Sequence, residues 1–408
     1  MRFIFLTLGY HPDLTGGAYR YVREVAERLA ARGHRITVLC PNPRNDLPPR
    51  ENRGGVDLHR FTNEPGTFLL NWLRENRHAR RCARELELEL AGATLWVLCH
   101  AYLAPAIAGR QLHAAYLFTG PWAEEFQFAR QAVARSRLRR ACDWAIASAL
   151  RQVERKALRK VARILTISQY YARQLPRWHP GALPVVRVIS GGVNTQQFQP
   201  PPDRLRLRAD FGLEQDQFLF LAVRRLDPRM GLLTLIDSFA TLSAEFPQAR
   251  LWLAGSGPQQ AALQTRIDTH GLAGRVRLLG FVPEDDLARY YGAADCTLMP
   301  SLDLEGFGLA TVESLACGTP VLGSRAGATV ELLAPLGEAL LFEPGSVDAL
   351  ADKLRAVLRG HIKFPDREVC VAYAQSGFGW DRVVAAFEQT ARELTVVEPT
   401  PDSHQRTP

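Results

Sequence analysis

Ser301, Leu302, Asp303, Leu304, Glu305, Gly306, Phe307, Gly308, Leu309, Ala310, Thr311, Val312, Glu313, Ser314, Leu315 and Ala316 form the stretch whose reading decides the fold of this 408-residue chain. The apolar run at 296–300 leads into it and has the character of a buried strand. Beyond Gly308, the apolar positions Leu309, Val312, Leu315 and Ala316 fall at helical spacing. Cys317, Gly318, Thr319 and Pro320 stop that helix, because glycine suits a left-handed cap and proline cannot continue it. A further strand begins at 321–323. The unit is therefore strand, glycine-bearing loop, helix and strand, with Glu305 in the loop and Glu313 in the second helical turn.

The backbone N–H groups at 307–309 are left unpaired at the helix start, and with the helix dipole they suit a phosphate-like anion. Glu305 and Glu313 are acceptors able to hold vicinal hydroxyls of a sugar or a ribose. Sugar, phosphate and ribose together describe a nucleotide-sugar site. The plainer alternative is a solvated loop carboxylate and a surface helix residue, which suits many pairs of glutamates so spaced. For any two glutamates so spaced that alternative is the better reading; the glycines and the helix start between them shift the balance toward the site without deciding it.

The same architecture recurs along the chain. A strand at 3–8, a loop at 11–17 with the pair Gly16 and Gly17, a helix at 18–30 and a strand at 36–40 make a Rossmann-like opening. A helix is expected at 69–90. The strand at 95–99 has His100 at its carboxyl end, and the strand at 114–118 ends at Thr119, Gly120, Pro121 and Trp122; ligands of open parallel sheets gather at such ends. Strands at 163–168 and 185–193 lead to a proline-rich linker at 198–202. A second cycle begins with the strand at 218–223, its loop at 224–231 and its helix at 232–242, and continues through strands at 251–254 and 276–279. The chain is long enough for two such parallel α/β domains.

Apolar residues make up 47% and charged residues 23%, a globular composition. No apolar run approaches the ~18–20 residues of a membrane span. The apolar opening at 1–8 is too short for a signal peptide and reads as a strand. Seven cysteines without C-x-x-C spacing suggest buried thiols in a reducing compartment, so a cytoplasmic chain is expected. The net charge of +8 is concentrated. Between Arg130 and Arg163 lie eleven Arg or Lys against Asp143 and Glu154, a net +9 that leaves the remainder at −1. Leu150, Val153, Ala157, Val161 and Ile164 form an apolar stripe there, with Arg151, Arg155, Arg159 and Arg163 on another helical face. Three readings stand: a solvated face, a dock on an anionic membrane surface at ~1 kcal/mol per cation, or a hold on a phosphorylated acceptor. No nucleic-acid motif accompanies the charge, so no nucleic-acid partner is expected.

Taken together, these residues resemble the family-4 retaining glycosyltransferases of the GT-B fold, along nearly the whole chain. The resemblance rests on Gly16 and Gly17 with Gly33 and His34, on Gly191, Gly192, Val193 and Asn194 followed by Phe198, and on Arg225 and Leu226 ahead of Gly231. Gly255, Ser256, Gly257 and Pro258, then Gly280, Phe281, Val282 and Pro283, and the pair Glu305 and Glu313 with seven residues between complete it. It implies two facing Rossmann-like domains at 1–192 and 193–370, a helix at 371–395 crossing back to the first, and a disordered tail at 396–408. It implies a UDP- or GDP-sugar donor as substrate, no cofactor and no metal. Glu305 and Arg225 would be catalytic. Gly16, Gly17, Arg229, Gly255, Val282, Phe307, Gly308, Leu309 and Glu313 would bind the donor, with Thr119 and His100 at the acceptor side of the cleft. The acceptor would be a glycan, a lipid-linked sugar or a small molecule.

Two positions depart from the pattern. Met230 stands where most members have Lys, so the diphosphate loses a charge-assisted contact of ~1.5–3 kcal/mol, unless Arg229 supplies it. Thr119 stands where members often have His before Gly-Pro-Trp. These departures motivate a rival reading, a nucleotide-binding or scaffolding homologue without turnover.

Overall fold

The computed structural model describes residues 1–63, 67–88, 93–110, 112–131 and 137–395. The tail at 396–408 and Arg135 of the basic segment lie outside the described residues.

Two predominantly parallel sheets are present, as the alternation of apolar runs, glycine loops and helices predicts. The first has eight strands in the spatial order Arg50–Arg53, Val56–Phe61, Arg35–Pro41, Arg2–Leu6, Thr94–Leu98, Ala114–Phe118, Arg163–Thr166 and Val186–Val188. Its pairings are parallel except the edge hairpin Arg50–Arg53 with Val56–Phe61, which turns through Gly54 and Gly55 at φ 59° and 79°. The second has six parallel strands in the order Val276–Gly280, Ala249–Ala254, Phe218–Val223, Cys296–Met299, Val321–Ser324 and Leu341–Phe342. Central strands are buried on both faces, which explains their continuous apolar runs: Phe3, Ile4, Phe5 and Leu6 have no exposed surface, nor do Leu219, Phe220 and Leu221.

Strand order reverses at Arg2–Leu6, which pairs with Arg35–Pro41 on one side and Thr94–Leu98 on the other. It reverses again at Phe218–Val223, between Ala249–Ala254 and Cys296–Met299. Such reversals open crevices at the carboxyl ends of the strands. The two crevices share one cleft: a side-chain carbon on Gly17 would lie 3.9 Å from Leu309 Cδ1.

The chain passes between the domains twice. Val193 N–H donates to Phe378 C=O at 2.7 Å, and Val193 bridges Gly379 in parallel, so the outgoing and returning passes lie side by side. Gly191 and Gly192 leave room there: a Cβ on either would come within 2.3 Å of the Phe307 ring or 2.7 Å of the Trp380 ring. The helix Arg367–Gly377 stays on the second domain, with Arg367 Nη2 donating to Cys317 C=O at 3.1 Å. The helix Trp380–Thr395 packs on the first domain. Trp380 meets Tyr21 edge-on, Phe387 lies 6.1 Å from Phe5, and Glu393 pairs with Arg187 at 2.8 Å and Arg163 at 3.2 Å.

The basic segment differs from its sequence reading. Its helix is Arg137–Leu158, so Val161, Arg163 and Ile164 are not on the helical stripe. Ile164 belongs instead to the strand Arg163–Thr166, where pairing to Ala114–Phe118 buries it completely. The cationic row is partly spent within the protein: Arg151 pairs with Glu124 at 2.7 Å, Arg159 donates to Pro180 C=O, and Arg163 holds Glu393. The cysteines are free thiols, but Cys142 is exposed, against the expectation that all are buried. No helix among the described residues is long and apolar enough to cross a membrane.

Candidate active site

The loop before the helix Leu309–Ala316 is held from several directions. Leu304 takes φ 54°, a left-handed conformation rare for a branched side chain. Its carbonyl accepts from Tyr171 Oη of the first domain at 3.2 Å and from Arg229 Nη1 at 3.0 Å, so contacts on both sides fix the strained turn. Glu305 follows. Its main-chain carbonyl accepts from Ala328 N–H at 2.8 Å, and bare Gly327 allows that approach. Gly308, at φ 89°, opens the helix.

Glu305 is 8% exposed and lines a cavity of about 390 Å³ between the domains. Its Oε2 accepts from Arg224 Nη2 at 2.5 Å and from Ser301 Oγ at 2.7 Å. Burial pushes the carboxyl upward, but Arg224, Arg229 and the Ser301 hydroxyl outweigh it and hold Glu305 below its ordinary range. It is an anion with fixed geometry. Phe307, Gly308 and Leu309 line the same cavity with Gly16, Gly17, Thr119, His100, Arg225 and Arg229.

Glu313 is 2% exposed and reaches an adjoining cavity of about 220 Å³, lined also by Gly16, Gly17, Gly255, Val282 and Phe281. Its carboxylate accepts from Tyr291 Oη at 3.0 Å and pairs with Arg20 Nη1 at 2.7 Å, across the cleft from the first domain. Burial nevertheless keeps its carboxyl above the usual range. Arg20 also meets Glu284 at 3.0 Å, and Glu284 receives His11 at 3.0 Å and Arg23 at 2.8 Å. Burial works against this carboxylate, yet His11, Arg20 and Arg23 together lower it to about 2.

Other expected residues take distinct places. The Arg225 side chain is 60% exposed and its guanidinium lies 3.3 Å from Asp227, although the residue lines both cavities. Gly255 packs against the next loop: at φ 144°, a Cβ there would sit 1.8 Å from Arg224 C=O. His100 Nδ1 accepts from Tyr102 N–H at 3.1 Å, capping the turn Ala101–Leu103, and its ring meets Trp122 edge-on. Burial lowers its pKa to about 4, so the imidazole is neutral near pH 7.

Arg224, rather than Arg225, is the arginine on Glu305. It is buried between two thioethers, with Nη2 2.8 Å from Met230 Sδ and Nη1 3.2 Å from Met299 Sδ. Met230 thus packs against a guanidinium where family members have their own cation. Two adjacent arginines after a strand were visible in the sequence, but not which one turned inward. Arg20 and Glu284 were also missed, since only the meeting of the domains brings them together, and so was Tyr291, whose bond to Glu313 joins two helices of the second domain.

Residues 203–377 match the family described as Glycosyl transferases group 1, and residues 15–197 match Glycosyltransferase Family 4. The GDP-mannose-dependent alpha-(1-6)-phosphatidylinositol monomannoside mannosyltransferase of Mycolicibacterium smegmatis is 27% identical over 369 residues, covering 86% of this chain and 89% of that one. Among solved structures, the sucrose-phosphate synthase from Thermosynechococcus elongatus superposes with a TM-score of 0.81 at 23% identity, covering 96% of this chain and 98% of its own. HepE from Anabaena, solved in complex with UDP and glucose, gives 0.75 at 20% identity and covers 96% of this chain and all of its own.

Proposed function

Because the chain belongs to the group 1, family 4 glycosyltransferases, we propose that it moves a hexosyl unit from a UDP- or GDP-sugar to an acceptor hydroxyl, retaining the anomeric configuration. The acceptor is a glycan, a lipid-linked sugar or a small molecule of surface polysaccharide or glycoconjugate synthesis. The observation that carries this reading is the convergence of Glu305, Glu313, the start of Leu309–Ala316 and Gly16–Gly17 on one interdomain cleft. The named relative's use of GDP-mannose and the UDP and glucose in the HepE structure support a nucleotide-sugar donor.

In this reading Glu305, anionic and held by Arg224 and Ser301, accepts from donor sugar hydroxyls. Glu313 takes the ribose, Val282 lies beside the base, and the bare backbone of Gly16 and Gly17 approaches the phosphates. Arg225, Arg229 and the N–H groups at 307–309 supply positive charge to the departing diphosphate, with no metal required. The bond from the sugar C1 to the diphosphate oxygen breaks, and a bond from C1 to the acceptor oxygen forms on the same face. The acceptor proton passes to the leaving phosphate oxygen. The exposed Trp144 and Ile146, with exposed Arg140 one helical turn before Trp144, support peripheral docking on the anionic inner face of a membrane; flotation with neutral vesicles equal to that with anionic ones would exclude an electrostatic dock.

The test is nucleotide release from a panel of UDP- and GDP-sugars with glycan and small-molecule acceptors. Glu305→Gln is expected to lower turnover by about 10²-fold or more, as loss of a group acting on the reacting sugar does. An unaffected variant contradicts the assignment. Nucleotide binding by the wild type without turnover on any acceptor favours the scaffolding reading, which Met230 first suggested.

A further inference from the structure

The first-domain wall of the cleft carries a carboxylate that the donor does not need. Glu125 lies in the first turn of the helix Trp122–Gln131, just beyond the carboxyl end of the strand Ala114–Phe118. Its side chain folds back over Gly120, where a Cβ would stand only 2.7 Å from Oε1. That glycine is what lets the carboxylate lie along the cavity shared by Glu305, Arg225 and Arg229. Its neighbour Glu124 is occupied by two bonds from Arg151, at 3.0 and 2.7 Å. Among the described residues, the cation paired with Glu125 is Arg229 Nη2 at 3.7 Å, beyond hydrogen-bond length, and 41% of the Glu125 side chain remains exposed. Burial of the carboxyl group raises its pKa in spite of Arg229 and Arg225.

The charge on the two walls is unequal. Arg224, Arg225 and Arg229 all come from the second domain. Among the described residues, the first-domain lining of this cavity contains no Arg or Lys; apart from Thr7, Tyr21 and Tyr171, whose hydroxyls donate to main-chain carbonyls, it offers Tyr19, His100, Thr119 and Glu125 as polar side chains. His100 is neutral and its Nδ1 is already used by Tyr102 N–H. A phosphate placed against this wall would meet a carboxylate whose paired cation, Arg229, comes from the opposite wall at 3.7 Å and also donates to Leu304 C=O. A hydroxyl placed there would donate a charge-assisted hydrogen bond.

Resting on the transferase reading above, we propose that Glu125 anchors the acceptor by accepting a hydrogen bond from one of its hydroxyls, and that the acceptor presents an uncharged polyhydroxylated ring to the cleft. A phosphate beside the attacking hydroxyl is disfavoured by the same carboxylate. The discrimination is electrostatic, so reversing the charge at this one position reverses it.

The experiment first titrates the full chain with UDP and GDP. It then measures transfer to methyl α-glucoside, methyl α-mannoside and myo-inositol beside glucose 6-phosphate, mannose 6-phosphate and inositol 1-phosphate. Wild type is expected to use the neutral members. Glu125→Ala is expected to raise acceptor KM about tenfold or more, with donor KM changed by less than about threefold, a split that a purely structural role would not produce. Glu125→Lys is expected to shift preference toward the phosphorylated members. Turnover by wild type with the phosphorylated members only, turnover with none of the six, or an unchanged acceptor KM in Glu125→Ala overturns the proposal while leaving nucleotide binding, and hence the donor site, intact. A wild-type chain that binds neither nucleotide strikes the transferase reading itself and removes this inference with it.

Discussion

Replacing Arg224 with Met isolates the buried contact on which the second-domain wall of the cleft depends. Methionine keeps much of the length and apolar stem but cannot donate to Glu305. The two side chains are 6% and 10% exposed and 2.5 Å apart, so the carboxylate left behind has Ser301 Oγ and the more distant Arg229 for compensation. Removing one partner of a buried ion pair costs about 3–5 kcal/mol, much of it the penalty of a stranded charge. At roughly 2–4 °C per kcal/mol for a domain of about 150–250 residues, Tm should fall by about 6–20 °C. Glu305→Gln alone should cost about 1–3 kcal/mol. The double variant no longer strands a charge, so it should be more stable than the sum of the singles by at least about 2 kcal/mol. Thermal and urea unfolding of all four proteins, followed by circular dichroism, measures that coupling. A loss below about 1 kcal/mol in Arg224→Met, or strict additivity, would refute the claim that Arg224 holds Glu305.

Gly255→Ala should destabilise strongly, because its Cβ would overlap Arg224 C=O at φ 144°, whereas Gly274→Ala, with open space around it, should stay within about 1 kcal/mol of wild type; equal melting curves for the two would contradict the packing argument. Arg20→Ala removes contacts to both Glu313 and Glu284, so small-angle scattering of the ligand-free protein should show a larger radius of gyration. An unchanged radius would mean that Arg20 does not hold the cleft closed. His100 has a pKa near 4 in the fold against about 6.5 unfolded, so its neutral form stabilises fully above about pH 6.5, and that contribution is lost as pH falls toward 4. The Tm difference between wild type and His100→Asn should therefore drift against wild type over that interval; a constant difference would show that His100 titrates normally.

The two sheets were legible because each central strand is an apolar run closed by glycine or proline, a local signal that survives without tertiary context. The edge hairpin was not. Arg50, Glu51, Asn52 and Arg53 carry no apolar pattern, since an edge strand need not bury either face. Within the site, the spacing singled out Glu305, Glu313 and the Gly308 turn, but only the family resemblance turned them into a candidate site. Arg224 was not distinguished from Arg225, because successive residues leaving a strand point to opposite sides, and only the packing of Met230 and Met299 selects the inward one. Arg20 and Glu284 lie 264 positions apart and meet through the docking of two domains, which periodicity does not report. The basic segment misled for a related reason: its helical spacing continued past Leu158, but pairing with Ala114–Phe118 claimed Arg163 and Ile164 for the sheet.

The paired crossing at Val193 and Gly379 has a mechanical result. A single connecting thread would let the lobes swivel freely, whereas two threads side by side would act like a door hinge, bending about one line and resisting torsion. If the lobes part, such a hinge would bring Gly17 back to Leu309 and Arg20 back to Glu313 in the same alignment, so that accuracy of assembly would lie in the connection and not in the loops.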